Sequence, residues 1–209
     1  MLLAFDTATH AVTVALHDGN RVVAESTAVD PLRHGELLAP SIRGVLADAR
    51  VTMRDVASIA VGVGPGPFTG LRVGLVTART LATVLEVRAV GVCTLDVVAA
   101  GVTSQGSFMV ATDARRKEVY WARYSSPTHR VSGPAVSKPA QVADDGPVAG
   151  MGPRLYPADF PHALTPELPT AADLARLVST GDARLLPVEP LYLRRPDISE
   201  PGLRKRVAR

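Results

Sequence analysis

Two aspartates close strand-like runs in this 209-residue chain: Asp6 after Leu2-Leu3-Ala4-Phe5, and Asp113 after Met109-Val110-Ala111-Thr112. A carboxylate at a strand end can hold Mg²⁺ while neighbouring N–H groups meet phosphate oxygens, so Asp6, Thr9 and Asp113 are candidate nucleotide ligands. The alternative is that Asp6 and Thr9 satisfy the backbone of a strand-ending turn. Ala8 stands where a phosphate loop favours glycine for close backbone approach. The Gly64-Pro65-Gly66-Pro67 turn invites the same comparison, because a helix N-terminus attracts anions. It is followed by Phe68-Thr69-Gly70, however, not by the Gly-Lys-Ser/Thr of a phosphate-binding loop, so the prolines are expected to fix the turn and Thr69 to cap the next helix.

Hydrolytic and metal chemistry find little footing. The five histidines, at positions 10, 17, 34, 129 and 162, include no pair at helical metal-binding spacing. His34 opens His34-Gly35-Glu36-Leu37-Leu38, and one turn later stands Leu38, so helix capping or a surface contact accounts for His34. Cys93 has no base nearby in sequence and is expected to be a small core residue. Arg115 and Arg116, in Asp113-Ala114-Arg115-Arg116-Lys117-Glu118, can contact an anion or tRNA, or simply form a solvated hairpin turn.

The elements that would position these residues follow from periodicity. Residues 2–7, 11–18 and 21–28 read as strands, with Asp18-Gly19-Asn20 turning the last two into a hairpin. A helix is expected over 34–49, with Pro40 kinking it or limiting its first turn. A short strand over 58–64 leads into a helix over 69–86. Another strand spans 89–93, and Thr94 is placed to cap the helix after it. From about Gly106 the pattern restarts: a strand over 107–113, a turn, a strand over 117–124, Pro- and Gly-rich short strands and loops between Pro127 and Pro169, and a helix over 171–179. The repeated strand-then-aspartate ending suggests an internal duplication.

The helix over 69–86 carries Arg72, Arg79 and Glu86 at intervals of seven and is otherwise apolar around nearly its whole circumference. Gly70, Gly74 and Ala78 form a small-residue seam beside Leu75. Such a helix is either central to its own domain or meets another protein, and docking is the preferred reading.

Composition sets the frame: 46% hydrophobic, 21% charged, net charge +3. Arg204, Lys205, Arg206 and Arg209 supply four of those positive charges, so the preceding chain is close to neutral and the basic character describes a tail. Aromatic residues make up 4%, which argues against a base-stacking platform. No run reaches the length of uncharged apolar residues that a membrane span needs, and the N-terminus lacks a signal-peptide pattern, so a cytoplasmic protein without membrane attachment is expected.

Taken together, Phe5-Asp6-Thr7-Ala8-Thr9, His34 to Pro40, Gly64 to Arg72, Asp113 to Ala122 and Pro190-Leu191-Tyr192-Leu193-Arg194-Arg195-Pro196 resemble the TsaB (YeaZ) family, most closely its actinobacterial members. The resemblance runs from Leu2 to about Asp197. It implies an α/β, two-lobed actin/sugar-kinase/heat-shock-chaperone-like (ribonuclease H-like) fold with mixed sheets and a reduced C-terminal lobe. The expected division is residues 1–104, 105–197 and a basic tail over 198–209. It further implies a subunit without catalytic residues, working in the synthesis of N6-threonylcarbamoyladenosine at position 37 of tRNAs that read codons beginning with A. The implied partners are a catalytic paralogue of TsaD type, an ATPase of TsaE type and tRNA reached through the complex, with self-association when the paralogue is absent. The complex would use ATP through its other subunits, with no cofactor tightly held here. The resemblance places partner contact on helices 34–49 and 69–86; His34, Leu38, Ile42, Gly70, Arg72, Gly74, Leu75, Ala78 and Arg79 are the expected interface residues. The reading that competes with it is an ATP-binding enzyme of the same fold, with Asp6 and Asp113 facing a cleft between lobes.

Overall fold

The computed structural model describes residues 1–193 except Gln105 and Asp144; the basic tail, with Arg194 and Arg195, lies outside the described residues. The first sheet is built from β1 (Leu2–Asp6), β2 (Ala11–His17), β3 (Val22–Val29), β4 (Ser58–Gly62) and β5 (Arg88–Val92), in the order β3-β2-β1-β4-β5. β1 and β2 pair antiparallel, as do β2 and β3, while β4 and β5 extend the sheet in parallel. The second sheet repeats that plan with β6 (Phe108–Asp113), β7 (Val119–Ser126), β8 (His129–Ser137), β9 (Pro147–Ala149) and β10 (His162–Ala163), in the order β10-β9-β6-β7-β8. β6 is antiparallel to β7 and parallel to β9, as β1 is to β2 and β4. The duplication suggested by the two aspartate endings thus holds at the level of topology: Asp6 and Asp113 close equivalent strands.

The two-residue period of β1 decides how the first sheet is covered. Leu3 and Phe5 face a core shared with Leu38, Ile42 and Val45 of α1 (His34–Asp48) and with Leu71, Leu75 and Ala78 of α2 (Phe68–Leu85). Leu2 and Ala4 face the other way, against Leu174 and Leu177 of α5 (Ala171–Thr180) and Val97 of α3 (Thr94–Ala100). The small side chains Ala4, Ala15 and Ala60 on that face let α5 approach closely. α5 therefore returns from the second half of the chain to cover the first sheet, which differs from the expected grouping of 105–197. α3 sits between the sheets, its Leu95 and Val98 packing with Phe108, Val110 and Tyr124. α4 (Gly152–Leu155) closes the outer face of the second sheet with Phe160 and Met109 nearby.

Pro40 lies inside α1 without ending it. Pro40 and Glu36, whose carbonyl loses its usual partner, are both exposed, so water can meet that carbonyl on the solvent side. α2 is the one described helix long and apolar enough to match a membrane span by composition, yet one of its faces is sealed against β4 and β1.

Candidate functional site

Asp6 emerges from β1 into a fully buried position. Its Oδ1 accepts the Ala8 N–H at 2.7 Å and its Oδ2 accepts the Thr94 hydroxyl at 2.7 Å. Thr94 Oγ1 in turn accepts the Gly64 N–H at 3.2 Å. Burial pushes the Asp6 carboxyl up to about 6, against the opposing pull of the Ala8 and Thr94 hydrogen bonds and of nearby His34. Thr94 is the first residue of α3, not its cap; Cys93 holds the cap position without a side-chain hydrogen bond. Thr9 turns inward as well: its hydroxyl accepts the Ala11 N–H at 3.2 Å and its carbonyl receives Nε2–H of His34 at 2.7 Å.

The opposite wall comes from the second sheet. Asp113 Oδ1 accepts the Arg115 N–H at 2.7 Å, and Arg115 Nη2 donates to His10 Nε2 at 3.2 Å, joining the two lobes. Burial first, then the Arg115 charge, pushes the His10 pKa down, consistent with an acceptor nitrogen. Between Ala8, Thr9 and Pro67 on one side and Thr112, Asp113 and Met151 on the other, about 10 Å³ of space remains, the scale of a single water. Gly66 is pressed so closely onto Ala8 that any side-chain carbon there would overlap the Ala8 carbonyl. These residues do not fit a nucleotide with Mg²⁺. The carboxylate is committed internally, the loop backbone is covered, and the cleft has no room for a phosphate.

α2 begins immediately beyond this cleft. Pro67 caps it with no side-chain hydrogen bond, so Thr69 is not the expected cap but lies exposed in the first turn. The Thr7 hydroxyl donates to the Gly70 carbonyl at 2.8 Å and accepts the Gly74 N–H at 3.0 Å. A Cβ on Gly74 would lie 2.5 Å from Thr7 Oγ1. The small-residue seam therefore exists to seat α2 on the end of β1. This corrects most of the expected docking residues: Leu38, Ile42, Gly70, Gly74, Leu75 and Ala78 are buried in the chain's own core, and His34 is buried against Thr9. Only Arg72 and Arg79 of the expected set are exposed. A nearly all-apolar circumference offers two candidate faces, and the sheet takes the one with glycines because it permits the closer approach.

The open face of α2 instead carries Phe68, Val76, Thr80 and Val84, with Val76 61% and Val84 72% exposed. Phe68, Val76 and Val84 recur every eight residues on one side of the helix, with Arg72 and Thr80 at the intervening turns, so they line one open stripe. A strap over 186–192 borders it. Leu186 and Gly91 exchange backbone hydrogen bonds, and the Leu191 N–H donates to the Val63 carbonyl at 2.9 Å. Tyr192 stacks on Phe68 with ring centroids 5.8 Å apart. The Arg72 guanidinium lies 3.6 Å over the Phe68 ring, and its Nε donates to the Tyr192 hydroxyl at 3.3 Å. Arg79 Nε donates to the Val188 carbonyl at 2.7 Å. Nothing in the spacing of 186–192 announces this role; the lone Tyr192 in an apolar stretch is its one signal.

Beside the cleft mouth, Arg115, Arg116 and Lys117 take φ values of 60°, 53° and 59° in the β6–β7 turn. Three successive non-glycine residues in the left-handed region are unusual and costly, and all three side chains are exposed.

This architecture has known counterparts. The family model for TsaD, tRNA N6-adenosine threonylcarbamoyltransferase, matches residues 24–170. An uncharacterized protein of Mycobacterium tuberculosis is 44% identical over 201 residues, covering 94% of this chain and 92% of its own length. The tRNA threonylcarbamoyladenosine biosynthesis protein TsaB of Escherichia coli is 37% identical over 126 residues, which are 59% of this chain and 54% of that protein. YeaZ from Pseudomonas aeruginosa is 31% identical and superposes with a TM-score of 0.76, covering 92% of this chain and 99% of its own. The chain belongs to the TsaB (YeaZ) family. Its two mixed sheets with covering helices are accordingly the actin/sugar-kinase-like fold. Within that family frame the closed cleft and the open α2 face are the two features that bear on function.

Proposed function

We propose that this TsaB-family chain is a non-catalytic subunit that supports threonylcarbamoyl transfer to adenosine 37 of tRNA by docking a catalytic paralogue of TsaD type. The observation that carries the reading is the closed cleft. Asp6, Thr9 and the Ala8 backbone, the groups that would serve a nucleotide, are all spent on holding β1, α1, α2 and α3 together. Leu38 stands where a second imidazole would follow His34 by one turn, and it is buried in the core. With no groups free for chemistry at the strand ends, the chain's contribution is a surface. That surface is the exposed face of α2, Phe68, Val76, Thr80 and Val84, edged by Arg72, Arg79 and Tyr192, together with the neighbouring α1.

The same face suits a second copy of the chain when the paralogue is absent. ATP enters through other subunits, including an ATPase of TsaE type, and the complex works in the cytoplasm. tRNA reaches the complex chiefly through the paralogue, with Arg115 and Arg116 at its margin. Titration calorimetry of the isolated chain with ATP and Mg²⁺ tests the reading against an ATP-binding enzyme of the same fold. No saturable binding is expected, whereas a low-micromolar dissociation constant would overturn it.

A further inference from the structure

A separate cavity lies where α3, the β7–β8 hairpin and the residues following α5 meet. It holds about 200 Å³ and is lined by Asp96, Tyr124, Thr128, His129, Arg130 and Arg184. Its floor is a fixed polar cluster. The Tyr124 hydroxyl donates to Asp96 Oδ1 at 2.8 Å, and Arg130 Nη1 lies 3.3 Å from the same oxygen and 3.3 Å from Cys93 Sγ. The side chains of Arg130 and Asp96 are only 11% and 15% exposed, so packing fixes this arrangement.

The formal charges of the lining balance, Asp96 and Asp182 against Arg130 and Arg184, but the hydrogen-bond donors are not all met: Asp96 pairs with Arg130 alone. Arg184 makes no hydrogen bond or ion pair with any described residue; burial raises the Asp96 carboxyl's pKa, and Arg184, after Arg130 and Tyr124, is near enough to oppose that rise. The other carboxylate of the lining, Asp182, accepts the Thr180 hydroxyl at 2.7 Å. A guanidinium carries five N–H donors and no acceptor, and Arg130 directs Nη1 alone to Asp96 and Cys93. Thr128 and His129 stand on the same wall. Donors thus outnumber acceptors around a space of small-molecule size, with one side chain of each lobe, Arg130 from β8 and Arg184 from the segment after α5, turned toward it.

From this we infer that the cavity binds a small oxyanion, a carboxylate or a phosphate, held between Arg184 and the open N–H groups of Arg130. Planar guanidinium groups match the paired oxygens of both anions; the burial of Arg130 strengthens its bonds relative to water, while Arg184 reaches in from the exposed rim. The volume admits a single phosphate or a short carboxylic acid and is below the size of nucleotide-scale pockets. Because Arg130 belongs to the second sheet and Arg184 follows the helix that covers the first, an anion seated there ties the two lobes together. The inference is independent of the partner-docking face.

The test is calorimetric titration of the full chain with sodium phosphate, and in parallel with sodium acetate, at constant ionic strength set by chloride. Saturable binding of one anion per chain is expected, with Arg184→Ala weakening it at least about 10-fold, the loss of one charge-assisted pair. Arg184→Lys should fall between the two, and Arg154→Ala, which removes a surface pair with Glu167 elsewhere, should leave binding unchanged. The preferred anion tells a phosphate ligand from a carboxylate. Hydrogen exchange read with and without the bound anion should show slowing in residues 127–130 and 182–185 together. Absence of saturable binding to either anion, binding indifferent to Arg184→Ala, or protection confined to other segments would overturn the proposal.

Discussion

Replacing Asp6 with asparagine should change how stability depends on pH, by an amount set by the burial of that carboxyl. Its pKa rises from an ordinary 3.8 to about 6 on folding, chiefly by desolvation. That displacement corresponds to about 3 kcal/mol between the neutral and charged forms. The sign follows from proton counting. Below about pH 4 both folded and unfolded chains carry the proton, and the contribution is fully present. As pH rises toward about 6, the unfolded chain releases its proton first, so the folded state binds more protons and stability falls. Above that value the loss is complete and the curve levels. Asparagine keeps an acceptor for the Ala8 N–H and offers an N–H to Thr94 Oγ1, but carries no titratable proton. Urea unfolding followed by circular dichroism should therefore show Asp6→Asn gaining on the wild type by about 3 kcal/mol between about pH 4 and pH 7. Curves that stay parallel within about 0.5 kcal/mol across that range would mean that Asp6 is solvated and the cleft open, and would refute the reasoning.

Two substitutions one residue apart on α2 separate core from docking face. Leu75→Glu places a carboxylate in the core, and co-purification is not needed to see its effect: unfolding should show a loss of about 3–5 kcal/mol. Val76→Glu should leave the unfolding midpoint unchanged and abolish co-purification with a TsaD-type paralogue; retained pairing would move the interface off this face. Lys117→Gly relieves a left-handed backbone position whose side chain is exposed, and should raise stability by about 0.5–1 kcal/mol in urea titrations. Arg115→Gly should not share that gain, because it also removes the contacts to Asp113 and His10.

Much of the architecture was legible because hydrophobic periods are local. Leu2 to Asp6, Ala11 to His17 and the long α2 follow directly from alternation and apolar content. The orientation of α2 was not legible, since Leu75 and Val76 are equally apolar and only the seat offered by Thr7 distinguishes their sides. β8 escaped as a defined strand because His129 to Ser137 is a largely polar edge, where backbone pairing with β7 rather than side-chain burial makes the strand. Thr94 looks like a cap from its position before an apolar run, yet its hydroxyl is drawn to Asp6, which lies 88 residues away. The return of α5 and of the 186–192 strap to the first sheet is likewise a long-range event that no local pattern encodes. At the candidate site the residue types at Asp6, Thr9 and Asp113 were visible, while the closure that redirects them depends on Gly66 meeting Ala8.

The most direct measurement is threonylcarbamoyl transfer to tRNA, reconstituted with a TsaD-type paralogue, the ATPase and the activated substrate, with this chain present or omitted. Turnover is expected only when the chain and the paralogue are both present, with its loss on Val76→Glu despite an intact fold. Transfer by this chain without the paralogue, or a rate indifferent to its omission, would contradict this reading.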